Sequence, residues 1–199
     1  MMQNKIIGIT GGVGSGKSVV LNYLSDRYGA RIIEADRLAE KLMEPGQTVY
    51  EAVVAAFSEG ILEEKGGRID RKKLAEIVFH DEYSLKKLNE IVHPLVKEYI
   101  LNEIDKWNSE GRVCPFVIEA ALLIQDGYKA ICDVIWYVKV SKEIRIIRLM
   151  AGRGYSREKC ISIMNNQPED AFFEASSDLV ILNDESIEAV KREIDRQFI

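Results

Sequence analysis

The chain has 199 residues, of which 47% are hydrophobic and 30% charged, and its formal net charge is −5. These values are typical of one globular domain, or of one domain with an inserted lobe. The acidic balance disfavours a general nucleic-acid binder, because affinity for the phosphate backbone needs clustered Lys and Arg. It remains compatible with a phosphate-bearing small molecule held by a few local arginines.

Neither a targeting segment nor a cysteine framework is expected. No apolar run approaches the roughly 20 residues that cross a bilayer. Residues 1–9 run directly into a glycine-rich motif, so we expect a cytoplasmic protein without a signal peptide. Cys114, Cys132 and Cys160 are odd in number and widely spaced, with no C-x-x-C. We therefore expect buried free thiols rather than disulfides or a zinc site.

Five short apolar runs predict β-strands. They are mostly unbroken rather than alternating, which is typical of strands buried on both faces of a parallel sheet. Pro115 indicates that the third strand starts late or lies near an edge. The runs are residues 5–9, 31–34, 113–119, 133–140 and 179–182.

Helical patterns fill the intervals between these strands, and residues 47–107 show helices without a convincing strand. The alternation predicts an α/β fold with right-handed crossovers and a doubly wound, mainly parallel five-stranded sheet. The helical stretch is expected to be an insertion near the ligand-binding edge of the sheet. The predicted helices are 17–27 with Gly29 as its C-cap, 36–43, 141–150 capped by Ser141 with Glu143 in its first turn, a short helix from Ser156, and 186–197.

The glycine-rich segment at residues 11–18 matches G-x-x-x-x-G-K-[ST] at every fixed position. Glycines let the backbone turn its N–H groups toward an anion, and the helix that follows adds its dipole. Lys17 is expected to reach the β- and γ-phosphates of ATP, and the Ser18 hydroxyl to ligate Mg²⁺. The predicted nucleotide-binding residues are Gly11, Gly12, Val13, Gly14, Ser15, Gly16, Lys17, Ser18 and Val19.

Other patterns separate the classes that use such a loop. A GTPase switch is disfavoured because the one D-x-x-G, at residues 26–29, lies at the end of the first helix and no N-K-x-D follows the loop. A motor is disfavoured because the strand at residues 117–119 ends in Glu119 where a Walker B strand ends in aspartate. A small-molecule kinase and a regulatory or assembly ATPase, which would hydrolyse ATP without an acceptor, remain open.

A small-molecule kinase needs a carboxylate at the acceptor, cations for the moving phosphoryl group and a cover against water. Asp36 follows the second strand and is either this carboxylate or the N-cap of a helix. Arg148 and Arg153 are expected to act from a lid with a flexible link at residues 152–154, whereas Arg145 and Arg157 are expected on a solvated helix face. His93 is more often a structural residue than a catalytic one, and Pro94 fits the first turn of a helix.

These motifs, in this order, resemble the dephospho-CoA kinase family over nearly the whole chain. The segments that carry the resemblance are 9–18 (ITGGVGSGKS), 34–36 (EAD), Leu88-Asn89 with His93-Pro94, 120–124 (AALLI), Arg148-Leu149-Met150 with Arg153, 163–167 (IMNNQ) and 178–184 (DLVILND). The resemblance implies a single P-loop kinase domain over residues 1–199, with a helical substrate-binding insertion at about 47–107 and a helical lid at about 145–167.

The resemblance also implies a reaction: Mg²⁺-dependent transfer of a phosphoryl group from ATP to the ribose 3′-hydroxyl of dephospho-CoA. It places Asp36, Lys17, Arg153 and Arg148 in catalysis, and Asp36, His93 and Leu122 at the acceptor. Another nucleoside or nucleotide kinase stays an alternative, and the oligomeric state is not predicted. The chain departs from the family pattern at Glu34 (Asp), Ala121 (Pro), Gln125 (Glu) and Gly152-Arg153 (Arg-Asp), so which lid arginine acts is left open.

Overall fold

A computed structural model of the chain describes residues 2–199. Met1, which belongs to the N-terminal segment considered above, lies outside the described residues. The described chain forms two compact units: one runs up to Ile33 and resumes over Arg112–Ile199, and the other is Glu34–Gly111. The second unit includes the segment 47–107 for which helices are predicted. None of the described helices combines the length and apolar composition needed to cross a bilayer.

The first unit is built on a five-stranded sheet with the strand order β2-β3-β1-β4-β5. Strand β1 lies at the centre and pairs in parallel with both β3 and β4, and β4 pairs in parallel with β5. The strands are β1 (Ile6–Thr10), β2 (Arg31–Glu34), β3 (Phe116–Glu119), β4 (Val134–Lys139) and β5 (Leu179–Leu182). The predicted α/β class and five-stranded sheet are confirmed.

Helices cover both faces of this sheet. Residues of α1 and α9 pack with one face in a core that includes Ile7, Trp136 and Ile181. On the other face, the Tyr137 ring stacks on Phe173 of α8 with ring centroids 5.0 Å apart. The helices of the first unit are α1 (Lys17–Tyr28), α6 (Lys142–Arg153), α7 (Arg157–Asn165), α8 (Asp170–Ser176) and α9 (Ile187–Arg196).

The second unit is helical apart from an isolated antiparallel bridge between Leu62 and Ile69. Its longest helix, α5, begins after Asp81, whose carboxylate accepts from the amides of Tyr83 and Ser84. The buried residues of α5 are Val92, Val96, Ile100, Ile104 and Trp107, which recur every three or four positions along one face. The helices are α2 (Ala35–Leu42), α3 (Thr48–Phe57), α4 (Arg71–His80) and α5 (Glu82–Ser109).

Several local predictions need correction. Strand β3 starts late, at Phe116, which confirms one of the two alternatives predicted from Pro115; the other was wrong, because β3 is an interior strand beside β1. Pro94 lies inside α5 rather than in a first turn, since the cap at Asp81 begins the helix well before it. Proline lacks an N–H, so one intrahelical hydrogen bond is lost there, and the buried stripe of α5 offsets that cost. Helix α8 was not predicted, because its short segment carries no clear periodicity.

The helix caps and the thiols give a mixed outcome. Gly29 adopts the left-handed conformation predicted for the C-cap of α1, and Ser156 and Ser186 cap α7 and α9 through their side chains. Ser141 precedes α6 but makes no side-chain cap; its amide donates to Asp184 instead. None of the three cysteines is in a disulfide, but only Cys160 is buried; Cys114 and Cys132 are half-buried, so the burial predicted for these two was wrong.

A carboxylate-centred cluster joins α1 to α9. Asp195 Oδ1 accepts from the hydroxyls of Tyr23 at 2.8 Å and Tyr28 at 2.6 Å. Both hydrogen bonds lower the pKa of Asp195, and the bond from Tyr28 has the larger effect. Burial and the Asp195 carboxylate raise the pKa of Tyr28 to about 12. The Asp195 carboxylate therefore contributes fully to the free energy of unfolding above its unfolded pKa of about 3.9, and this contribution is lost as pH falls. The Tyr28 hydroxyl contributes fully below about pH 10, and its contribution is lost as pH rises toward 12.

Replacing Asp195 by asparagine is expected to lower stability at pH 7 by about 1 kcal/mol, or about 2–4 °C in Tm, because two charge-assisted bonds become neutral ones. Thermal unfolding of Asp195→Asn and wild type measures this. The difference in Tm between the two proteins should narrow as pH is lowered below about 4, where protonation removes the charge of Asp195 from wild type as well. An exposed carboxylate on α5 supplies the control, Asp105→Asn, with an unchanged Tm. Equal Tm values for wild type and Asp195→Asn at pH 7 would refute the prediction.

Candidate active site

The P-loop, residues 11–18, connects the end of the central strand β1 to the start of α1. In an open α/β sheet, ligands bind at the edge formed by the carboxyl ends of the strands, and the loop lies at the carboxyl end of β1. Gly16, the N-cap of α1, has φ 84°, a left-handed conformation that favours glycine. A Cβ at Gly16 would also lie 2.4 Å from Asn183 Nδ2. Backbone conformation and packing therefore both require glycine there.

Side chains hold the carbonyl groups of three alternate loop residues. With these oxygens engaged, the amides at the start of α1, which lack intrahelical acceptors, and the helix dipole favour an anion. The bonds are Gly11 O with Lys17 Nζ at 2.8 Å, Val13 O with Arg145 Nε at 2.9 Å, and Ser15 O with Asn183 Nδ2 at 2.8 Å.

Lys17 also forms an ion pair, which the sequence patterns did not anticipate. Its Nζ lies 3.3 Å from Glu119 Oε1, and the two side chains are only 17% and 10% exposed. Glu119 ends β3 directly beside β1, in register with Ile9. The sequence signal for this pair is an apolar strand that ends in a carboxylate at the edge of the sheet where the loop begins. Glu119 therefore holds the amine of Lys17 near the loop.

Arg145 corrects the largest error among the predicted arginines. Instead of lying on a solvated face, it is half-buried against the loop, because its guanidinium donates to Val13 O at 2.9 Å and to Gln167 Oε1 at 2.7 Å. Burial lowers its pKa, and the negative charge of Asp170 opposes that shift. Arg157 does lie exposed as expected, where it pairs with Glu143 at 2.8 Å.

The two arginines predicted to act on phosphates occupy different environments. Arg148 is half-buried and donates to the carbonyl oxygens of Asn183 at 2.8 Å and Ser15 at 3.4 Å. Arg153 is exposed at the last position of α6, with its guanidinium 6.0 Å from the Tyr155 ring centroid. The predicted flexible link was misplaced, since Gly152 and Arg153 are helical and only Gly154 adopts a left-handed C-cap conformation.

The remaining predicted residues are distributed over both units. Asp36 is exposed in the first turn of α2, and Glu34 rather than Asp36 occupies the N-cap, so the capping alternative for Asp36 was wrong. His93 lies half-buried within α5. Leu122 follows β3 and its side chain is 44% exposed. In the first turn of α1, Ser18 is exposed and Val19 is half-buried.

The second unit contains a cavity of about 850 Å³. Apolar residues and charged residues of both signs line it. The lining residues include Met43, Ile69, Leu74, Val78 and Leu88, together with Glu40, Glu63, Arg68 and Arg71. A cavity of this size is in the range of small-molecule sites.

Fold and loop together define a P-loop kinase. The fold of a shikimate kinase from Acinetobacter baumannii superposes with a TM-score of 0.55 at 13% identity, over 99% of this chain and 94% of that one. The dephospho-CoA kinase family model matches residues 5–189. The chain belongs to the dephospho-CoA kinase family.

Individual relatives agree with this assignment. A dephospho-CoA kinase from Carboxydothermus hydrogenoformans is 38% identical over 194 residues, which are 98% of this chain and 93% of the relative. A crystal structure of TT1252 from Thermus thermophilus superposes with a TM-score of 0.82 at 30% identity, over 98% of this chain and 97% of that one. The match therefore extends over both compact units.

Proposed function

We propose that this protein transfers the γ-phosphoryl group of ATP to the ribose 3′-hydroxyl of dephospho-CoA, giving coenzyme A and ADP. The observation that carries the proposal is a P-loop whose carbonyl groups at Gly11, Val13 and Ser15 are bonded to side chains, in a chain that belongs to the dephospho-CoA kinase family over residues 5–189. The net charge of −5 further favours a small-molecule acceptor over a nucleic acid.

ATP would bind along residues 11–19, with Lys17 as the cation that follows the γ-phosphate. The Lys17 amine, which lies 2.8 Å from Gly11 O and 3.3 Å from Glu119 Oε1, would leave these partners and bind phosphate oxygens. A compact ammonium on a flexible stem exchanges partners easily.

Mg²⁺ is expected to accompany ATP, held by the exposed Ser18 hydroxyl together with phosphate oxygens and water. Among the described residues no group of three His, Cys, Asp or Glu could form a protein cage for a metal. One hydroxyl together with phosphate oxygens and water is a donor set that fits Mg²⁺, which usually keeps several waters and binds through substrate phosphates. When bound, the ion supplies positive charge against the β- and γ-phosphate oxygens.

Asp36 is proposed as the group that orients and deprotonates the 3′-hydroxyl, with His93 and Leu122 contacting the acceptor. Exposure of the Asp36 carboxylate suits it to meet a substrate. Arg153, exposed at the end of α6, would neutralise the moving phosphoryl group. Arg148 would add positive charge while it maintains its bonds to Asn183 O and to Ser15 O of the loop.

We also propose that the reaction takes place in the cytoplasm. Cys114, Cys132 and Cys160 are thiols that form no disulfide. Reducing compartments keep cysteines in that form.

An ADP-release assay with Mg-ATP tests the proposed acceptor. Dephospho-CoA, adenosine, AMP, uridine and a blank without acceptor are compared at equal concentration. Turnover at least about 100-fold faster with dephospho-CoA than with the others is expected, since the acceptor hydroxyl must be positioned for attack. Preference for a nucleoside or nucleotide would replace the acceptor but retain the kinase. ADP release that ignores the acceptor would favour a regulatory ATPase.

A further inference from the structure

Val13, at the tip of the P-loop, is held at three points by the helical pair α6–α7 and the turn after it. Its N–H donates to Gln167 Oε1 at 3.1 Å and its carbonyl accepts from Arg145 Nε at 2.9 Å. Its side chain packs against a small core that contains Ile146, Leu149, Cys160 and Met164. The two peptide groups that flank Val13 are therefore both fixed by side chains from outside the loop.

The two side chains are also joined to each other. Arg145 Nη2 donates to the same Gln167 oxygen at 2.7 Å, which closes a ring of three hydrogen bonds through Val13. The planar guanidinium directs these two donors in a fixed geometry that an ammonium cannot reproduce. The backbone of Gln167 is itself anchored, because its N–H donates to the carbonyl oxygen of Met164 near the end of α7.

Packing at Gly12, the residue before Val13, also involves Arg145. A Cβ added to Gly12 would lie 2.2 Å from Arg145 Nη2, so the guanidinium occupies the space that a side chain would need. Burial of Arg145 costs hydration of its charge, and the nearby Asp170 carboxylate offsets part of that cost.

We propose that Arg145 and Gln167 are positioning residues, which fix the two peptide groups flanking Val13 and thereby hold the rest of the loop in the conformation that binds the phosphates of ATP. The inference rests on the proposed function, since it requires that the loop binds ATP. Without the ring of bonds these peptide groups can rotate, and the loop then loses part of its preorganisation for an anion. Loss of either residue should therefore weaken the binding of ATP and leave the binding of the acceptor unchanged.

Calorimetric titration of ATP in the absence of acceptor tests this directly. Arg145→Met and Gln167→Leu should each raise the Kd for ATP about tenfold, and the double variant should be no more than about twofold weaker than the worse single variant. Arg145→Lys should bind about as weakly as Arg145→Met, because a single ammonium cannot replace the fork. The KM for dephospho-CoA should stay within about twofold of wild type, since no acceptor contact is lost.

Arg196→Met is the matched control, because Arg196 is an exposed arginine bonded to Glu193 at 2.7 Å, and its Kd should be unchanged. Gln167→Leu keeps the test available if Arg145→Met does not fold. Tenfold effects that multiply in the double variant, ATP binding of Arg145→Lys at the wild-type level, or a lowered Tm with an unchanged Kd would each overturn the proposal. A wild-type protein that binds no ATP would instead contradict the proposed function itself.

Discussion

Replacing Lys17 by methionine is expected to lower kcat by about 10²–10³-fold, the usual cost of removing one group that stabilises transition-state charge. Methionine keeps the aliphatic stem but carries no charge toward the β- and γ-phosphates. The same change leaves Glu119 largely buried without the amine that now lies 3.3 Å from it. Stability should therefore fall as well, and steady-state kinetics must be paired with thermal unfolding.

A second substitution separates the two effects. In Lys17→Met combined with Glu119→Gln, the buried charge is gone, so Tm should recover while turnover stays low. Lys5→Met is the control, because Lys5 also forms a 3.3 Å ion pair, with Asp133, but an exposed one. Its kcat should remain within about twofold of wild type. Recovery of turnover along with Tm in the combined variant would remove Lys17 from catalysis.

Replacing Asp36 by asparagine is expected to lower kcat by about 10²–10⁴-fold, the range for loss of a general base. Asparagine preserves the size of the side chain, and Asp36 is not the N-cap of α2. Helix stability should therefore change little. Because the substitution leaves the P-loop untouched, the Kd for ATP should change by much less than tenfold.

Asp26→Asn, an exposed carboxylate in the last turn of α1, provides the comparison and should keep wild-type kinetics. Rates are best measured at saturating ATP and dephospho-CoA, so that binding does not mask the chemical step. Asp36→Asn with turnover near wild type would exclude Asp36 as the base. A large loss of ATP affinity would point to a role in nucleotide binding.

The sheet could be predicted from the sequence because its strands are short, unbroken apolar runs. Strand β5 was predicted at the observed residues, and β1 and β4 differ from prediction by no more than one residue at either end. Strand order was harder to foresee, since an interior β3 depends on pairings far apart in sequence. The P-loop was equally clear, because its glycines and Lys17 form one contiguous motif.

The support around the loop could not be predicted in the same way. Arg145 and Arg157 are both arginines in helical segments, yet one contacts Val13 and the other pairs with Glu143 in solvent. Only tertiary packing distinguishes them. Gln167 and Asn183 belonged to segments that carried the family resemblance, but local sequence gave no reason to place either against a loop more than 150 residues away. Pro94 was misplaced for a related reason, since packing along α5 overrides its local preference.

The most direct test of the proposed activity is product analysis after incubation of the purified protein with Mg-ATP and dephospho-CoA. Chromatography quantifies ADP and coenzyme A, and ³¹P NMR locates the new phosphate. One coenzyme A per ADP, with the new monoester on the ribose 3′-oxygen, is the expected result. ADP without coenzyme A, or a phosphate attached elsewhere, would contradict the proposed reaction.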